Sequence, residues 1–270
     1  MSLEILMLPR RTCCSIGRKS VSFQVFNPHE PGRAFYPFPF SIAPRLSEPC
    51  CSINGNVHKV TFWIFAYLIH TPGLLEAIRE ETTRGIIDDT LDVRYLTEKC
   101  PRLEAIFLEV LRLKMSTSLM RYVTSPTLIG GKLLEMGHNV MVPYRQLHFD
   151  KDVWGENVAE FDPERFLKQK HLARSPSYRP FGGGQHLCPG RFLARHAVFN
   201  FVALVLARYD VGLATIGDKD TYYRGALGGR QRFPRADESK PGLGTLSPIP
   251  GDNVILRLAP RGRKGRDEKR

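Results

Sequence analysis

The sequence predicts a mainly α protein with small β-sheets, and three observations carry that reading. Leu103, Ile106, Phe107, Val110 and Leu111 recur at i, i+3, i+4, i+7 and i+8, the core stripe of a helix. Residues 191–207 form a second, longer run that is apolar over most of its length. Between the two lies extended text, where residues 127–129 and 132–134 flank Gly130-Gly131 as a hairpin would. With 270 residues and 42% hydrophobic content, the chain can build one substantial core or two small ones.

In chain order, residues 1–50 are rich in Pro, Arg, Ser and Phe and show no sustained helical or strand period. Residues 52–69 read as a helix that is apolar on nearly all sides in its second half, hence buried. Thr71-Pro72 is expected to cap the next helix, which carries Leu74, Leu75 and Ile78 on one face. Cys100-Pro101 opens the striped helix. Glu109 and Arg112 lie roughly opposite its stripe, so periodicity alone predicts a surface ion pair worth about 0.2–0.5 kcal/mol. Residues 139–142 are a further extended run, and residues 254–258 read as a last strand. Residues 217–251, full of Gly, Pro and charge, have no period, and no internal repeat is present.

The formal charge of +12 includes a basic tail over residues 261–270, read as a solvated, disordered end. No finger, RNP-like or helix-turn-helix pattern accompanies the charge, so no nucleic-acid partner is expected. The six cysteines, Cys13, Cys14, Cys50, Cys51, Cys100 and Cys188, contain no CxxC and suggest a reducing compartment. No apolar run approaches the roughly 20 residues of a membrane span. The N-terminus also lacks the basic-then-apolar order of a signal peptide.

The most informative stretch is Phe181-Gly-Gly-Gly-Gln-His-Leu-Cys188-Pro-Gly190. Its glycines allow a tight turn and a close approach to a flat partner. Pro189 suits a first helical turn, which would put Cys188 at or beside an N-cap, where unsatisfied N–H groups favour an anion. A cysteine so placed can be a nucleophile, a zinc ligand or a haem ligand. No second Cys or His stands at zinc-ligand spacing. His186 as a base for a nucleophile is a weak signal, since such partners are found by geometry rather than adjacency. A haem thiolate uses more of the residues: Cys188 for iron, Gly182 and Gly184 where backbone passes the porphyrin, and His186 for a propionate. A glycine-rich turn with a structural cysteine is the plainer alternative.

The stretch resembles the haem-binding loop of the cytochromes P450, Phe-x-x-Gly-x-Arg/His-x-Cys-x-Gly, with Phe181, Gly184, His186, Cys188 and Gly190 on its fixed positions. The resemblance implies that Cys188 is the iron ligand, that Phe181 packs by the sulfur, and that His186 faces a propionate. Glu109 and Arg112 then fit the family's Glu-x-x-Arg pair, which locks to Arg165 in Phe161-Asp-Pro-Glu-Arg-Phe166 and braces the loop region. Arg121 falls where a second propionate-binding arginine is often found, and Ser118 and Leu119 fall at pocket-lining positions. His148, Phe149, Asp150 and Trp154 match the run leading to the Pro-Glu-Arg-Phe segment and read as scaffold. Gly55-Asn56 stands where the family offers an acid and a threonine to relay protons. That change resembles the branch of sterol 7α-hydroxylases, prostacyclin synthase and related fungal members. The amide of Asn56 can hydrogen-bond a distal ligand but is a poor proton donor; an amide satisfied locally in its helix is the alternative.

The implied architecture is the C-terminal, haem-proximal half of the cytochrome P450 fold. It comprises a partial domain over residues 51–258, after an unassigned lead-in of residues 1–50 (disordered or non-homologous) and before a basic disordered tail of residues 259–270. The implied function is a haem-thiolate monooxygenase holding haem b (iron protoporphyrin IX), with no metal other than the haem iron. It would insert one oxygen atom of O2 into an apolar, sterol or other lipid-like substrate. Electrons would reach it from NADPH through a redox partner such as a P450 reductase. Two alternatives stand beside this: an isomerase or dehydratase-type rearrangement of an oxygenated lipid, suggested by Asn56, and a truncated non-catalytic remnant with or without haem. Family members usually sit on the endoplasmic-reticulum membrane through an N-terminal anchor. None is read here, so a cytoplasmic chain is expected.

Overall fold

The computed structural model describes residues 3–10, 20–26, 34–35, 49–214, 232–239 and 244–261. The elements run β1 (Leu3–Arg10), β2 (Ser20–Phe26), β3 (Ala34–Phe35), α1 (Pro49–His70), α2 (Leu74–Thr83), β4 (Ile86–Ile87), β5 (Thr90–Leu91), α3 (Val93–Glu98) and α4 (Pro101–Lys114). They continue with β6 (Ser118–Tyr122), β7 (Thr127–Ile129), β8 (Lys132–Leu134), β9 (Asn139–Pro143), α5 (Tyr144–His148), α6 (Lys151–Trp154) and α7 (Glu164–Lys168). After two 3-10 turns, Lys170–Arg174 and Gly184–His186, come α8 (Arg191–Arg208), β10 (Tyr209–Leu213) and β11 (Ile255–Pro260). Long helices with small antiparallel sheets are the class the sequence predicts. The chain divides into two compact units, Met1–Glu104 with Phe192–Asp237 and Ser247–Arg270, and Ala105–Arg191 with Glu238–Leu246.

In the first unit, the second half of α1 is apolar on nearly all sides and accordingly buried: Phe62, Trp63, Ile64, Ala66 and Leu68 are each at most 1% exposed. Phe65 meets Phe201 of α8 edge-on at 6.1 Å, and Tyr67 lies 4.7 Å from the ring of Phe233. Residues 71–72 do not cap α2. The chain turns there with the Leu74 N–H donating to Thr71 O, and the N-cap position is Gly73 at φ 75°, with no side-chain cap. Arg79 closes the far end of α8, donating from Nε to Leu206 O and from Nη2 to Tyr209 O. The largest sheet runs β10-β11-β1-β2-β3, all antiparallel, so part of the non-periodic residues 1–50 is strand backbone. Its last strand in the chain, β11, covers most of the predicted 254–258. The basic tail from residue 262, and residues 215–231 and 240–243 of the aperiodic segment, lie outside the described residues.

The start of α4 shows how the sequence solves a capping problem. Pro101 is the first helical residue and has no N–H, while Cys100 before it offers no side-chain oxygen. The Glu81 carboxylate, brought by α2, takes over: Oε1 accepts from Arg102 N–H at 3.0 Å and Oε2 from Leu103 N–H at 2.9 Å. Burial and the same carboxylate push the Cys100 thiol up to about 12, so it is inert at neutral pH. Glu81→Ala is expected to cost about 1 kcal/mol, read as a lower denaturation midpoint at unchanged slope. No loss at all would show that water caps α4 equally well.

In the second unit, β7 and β8 form the hairpin that Gly130-Gly131 predicts. Both glycines have positive φ, 55° and 76°, as a two-residue turn between twisted strands requires. β6 pairs antiparallel with β9, from Ser118↔Pro143 to Tyr122↔Asn139. The core is an aromatic cluster of Trp154, Phe166 and Tyr178 with Ala105, Val158 and Leu172. Trp154 satisfies its one polar atom by donating from Nε1 to Leu147 O at 2.8 Å. No single helix among the described residues is long and apolar enough to cross a membrane.

Candidate functional site

Periodicity would leave Glu109 and Arg112 on the surface of α4, yet both are 0% exposed. The correction has a simple cause. The face of α4 opposite the Leu103 stripe is covered by the aromatic core, with the Arg112 guanidinium 5.2 Å from the Trp154 ring and 5.8 Å from Phe149. All five Arg112 donors find acceptors. Nε and Nη2 grip the two Glu109 oxygens at 2.8 and 2.7 Å, Nη1 donates to His148 O and Val158 O, and Nη2 also reaches Glu160 O at 3.3 Å. Glu109 Oε1 also accepts from Asp162 N–H at 3.1 Å. Arg165 of α7 joins the same group with Nε 3.6 Å from Glu109 Oε1, a charge contact too long for a hydrogen bond. Its Nη1 donates to Trp154 O and Asn157 Oδ1, and its Nη2 to Asn157 O. A buried ion pair so fully bonded fixes geometry more surely than it adds stability. It ties α4 to the stretch from His148 to Arg165, about 40 to 55 residues further along the chain.

Residues 181–190 hang from this scaffold. Phe181 places its ring 6.5 Å from Phe107 of α4. The loop closes on itself where Cys188 N–H donates to Phe181 O at 2.9 Å, and Leu187 N–H donates to Gly184 O at 3.2 Å. Arg191 Nη1 then binds Cys188 O at 3.0 Å. Gly182 and Gly184 sit at φ 81° and 61°, where only glycine is comfortable, whereas Gly183 at φ −165° is ordinary extended backbone. Helix α8 begins at Arg191 rather than at Pro189. Pro189-Gly190 form a turn, and Cys188 precedes the helix by three residues instead of standing at its N-cap.

The Cys188 thiol is half-buried and outside any disulfide. A Cβ on Gly190 would lie 3.8 Å from its sulfur, while one on Gly184 would point into open space. A reachable thiol on a loop with glycines at 182–184 and 190 suits a flat group that takes one ligand from the protein. These residues therefore fit a haem. The backbone of His186 lies in the short turn beside Cys188, and its side chain is outside the described residues. Arg121 is exposed on β6, its Nη1 donating to Met120 O. Ser118 lines an open cleft with Ser116, Thr117, Pro143, Arg145 and Phe149, and Leu119 beside it is half-buried. The structure thus joins Glu109, Arg112 and Arg165 in one network and gathers Phe181, Gly182, Gly184, Cys188 and Gly190 in one loop. Asn56 lies half-buried on α1, in the other unit. Sequence reasoning missed Tyr178, whose hydroxyl donates to Leu108 O of α4 at 2.9 Å and anchors the approach to the loop. No period or motif marks that residue; only a buried tyrosine's need for a partner could have raised it.

Residues 57–230 match the family model described as Cytochrome P450. The chain is 31% identical over 173 residues to a cytochrome P450 monooxygenase of Gibberella zeae, covering 58% of this chain and 33% of that protein. It is 28% identical over 230 residues to the 5-beta-cholestane-3-alpha,7-alpha-diol 12-alpha-hydroxylase of Sus scrofa, covering 77% of this chain and 43% of the relative. A bifunctional cytochrome P450/NADPH–P450 reductase of Bacillus cereus is 34% identical over 152 residues, 54% of this chain and 14% of that protein. The chain spans between 33% and 43% of the length of the fungal and mammalian relatives.

Proposed function

The chain belongs to the cytochrome P450 family, and from that premise we propose that it builds the thiolate side of a haem monooxygenase acting on an apolar, sterol-like or other lipid substrate. The observation that carries the reading is the loop closed by the Cys188 N–H to Phe181 O bond, which presents one half-buried thiol between glycines. The substrate class is supported by the Sus scrofa relative, named as the 12-alpha-hydroxylase of a cholestane diol, and the reaction class by the Gibberella zeae relative, named as a monooxygenase. A reductase supplying electrons from NADPH is proposed as the redox partner, since in the Bacillus cereus relative the two functions share one chain.

Within this reading each residue has a definite task. Cys188 is the residue that would hold the iron of haem b, through its deprotonated sulfur. Gly182 and Gly184, both at positive φ, would let the backbone pass close to the ring with no Cβ between. His186 and Arg121 are the basic residues proposed for the propionates. Glu109, Arg112 and Arg165 touch no substrate; they hold the scaffold on which the loop is mounted. Haem ligated by a thiolate supplies the electron density that favours cleavage of O2.

The test is turnover of the haem-loaded chain with a P450 reductase, NADPH and a panel of sterols under 18O2. A product carrying one labelled oxygen atom is expected. Thiolate-ligated haem that yields no oxygenated product across the panel would overturn the monooxygenase reading.

A further inference from the structure

His148 reads from sequence as scaffold, yet its two ring nitrogens join the ion-pair network to the loop. The residue ends α5 and is 0% exposed. Its Nε2 lies 2.9 Å from the Arg179 backbone nitrogen, which can only donate, so Nε2 is the acceptor and carries no proton. The ring hydrogen is therefore on Nδ1, which donates to Arg112 O at 3.2 Å. The His148 carbonyl in turn accepts from Arg112 Nη1 at 2.8 Å. The two residues are thus clasped twice, imidazole to the Arg112 carbonyl and guanidinium to the His148 carbonyl, and the far nitrogen of the imidazole holds the main chain two residues before Phe181. The Tyr178 ring is 5.6 Å from that of His148. On the loop side, the aliphatic part of Arg179 would be 3.5 Å from a Cβ on Gly183, and Arg179 O accepts from Gly182 N–H at 3.2 Å.

We propose that His148 is the positioning residue of the cysteine loop: as a neutral imidazole it transmits the place of the Glu109–Arg112 pair to the Arg179 amide and so sets where residues 181–188 begin. It touches neither substrate nor cofactor. The proposal rests on the haem-thiolate reading for its purpose, though not for its geometry.

The same contact makes the loop sensitive to acid. A second proton on His148 removes the only lone pair facing Arg179 N–H. The charged groups around the ring oppose that proton. Arg112 of α4 and Arg145 of α5 are cationic, while the Glu109 carboxylate is already engaged by Arg112 and by Arg165 of α7. Tyr178 presents its ring, and Arg179 its backbone. The Asp150 carboxylate is turned to its own helix, accepting from Asp152 N–H. Burial above all, with the two guanidiniums adding to it against the bond to Arg112 O, pushes His148 down to about 4 from its ordinary 6.5. The sign follows. Between pH 6.5 and about 4 an opened loop, with His148 in water, binds a proton that the docked loop refuses. Docking is therefore full above pH 6.5 and weakens by up to about 10-fold per pH unit on the way down.

The experiment is hydrogen exchange at the Arg179 amide in the whole 270-residue chain without haem, corrected for the intrinsic pH dependence of exchange. In the unmodified chain, protection should be high at pH 7.5 and should fall by up to about 10-fold per unit between pH 6.5 and 4. His148→Phe keeps a ring against Tyr178 but offers no acceptor, and should lower Arg179 protection by about 10-fold or more at pH 7.5. His148→Gln places an amide oxygen near Arg179 N–H and does not titrate, so it should restore protection and abolish the slope. Should the phenylalanine variant fail to fold, the glutamine variant and the slope of the unmodified chain decide the matter. Arg179 protection within threefold of the unmodified chain in His148→Phe, or the same pH slope in His148→Gln, overturns the proposal. The haem reading is separated by spectroscopy of the same proteins. A thiolate-type spectrum left unchanged by His148→Phe, with unchanged exchange, removes His148 and leaves the haem. The exchange pattern as expected, with no thiolate spectrum in the unmodified chain, removes the haem and leaves His148.

Discussion

Glu109→Ala is expected to cost about 3–5 kcal/mol, a large share of the roughly 5–15 kcal/mol that stabilises a typical domain. The carboxylate it removes accepts from Arg112 Nε and Nη2 and from Asp162 N–H, and it faces Arg165 Nε. Arg112 is fully buried, so after truncation its charge has neither water nor anion to face. The loss exceeds anything an exposed i, i+3 pair can give, which is about 0.2–0.5 kcal/mol. Equilibrium denaturation followed by circular dichroism measures it. A cost below about 1 kcal/mol would return the pair to the surface role that periodicity suggests and would remove the brace from the account.

Cys188→Ala is expected to abolish the thiolate signature of the haem-loaded chain while leaving the fold intact. The bond that closes the loop runs from the Cys188 backbone N–H to Phe181 O, and alanine keeps it. The side chain lost is half-buried and small, so the stability change should stay within about 1 kcal/mol. Loss of ligation would then mean loss of the ligand and not of the site. A variant that still shows thiolate-type absorption would remove Cys188 from the iron.

The sequence showed the elements whose causes are local. The stripe from Leu103 to Leu111 made α4 visible, Pro101 marked its start, and Gly130-Gly131 announced a turn with two positive φ values. Where the cause is distant, local reading failed. Glu109 and Arg112 are buried by aromatics that arrive about 40 to 70 residues later, which a helical period cannot count. The cap of α4 comes from Glu81, on another helix, and the expected cap at Thr71-Pro72 is a turn instead. At the site, the motif spacing located the loop, because tight backbone there requires particular glycines at particular positions. It could not reveal that Pro189 stands before α8 and not within it, nor that His148 and Tyr178 hold the loop from behind. Those contacts join segments about 30 and 70 residues apart, and nothing in either segment alone requires them.

The most direct test of the central claim is the absorption spectrum of the purified chain loaded with haem, reduced, and placed under carbon monoxide. A strongly red-shifted, thiolate-type Soret band is expected, and it should vanish in Cys188→Ala. Failure to take up haem, or a band without thiolate character in the unmodified chain, would contradict the account at its centre.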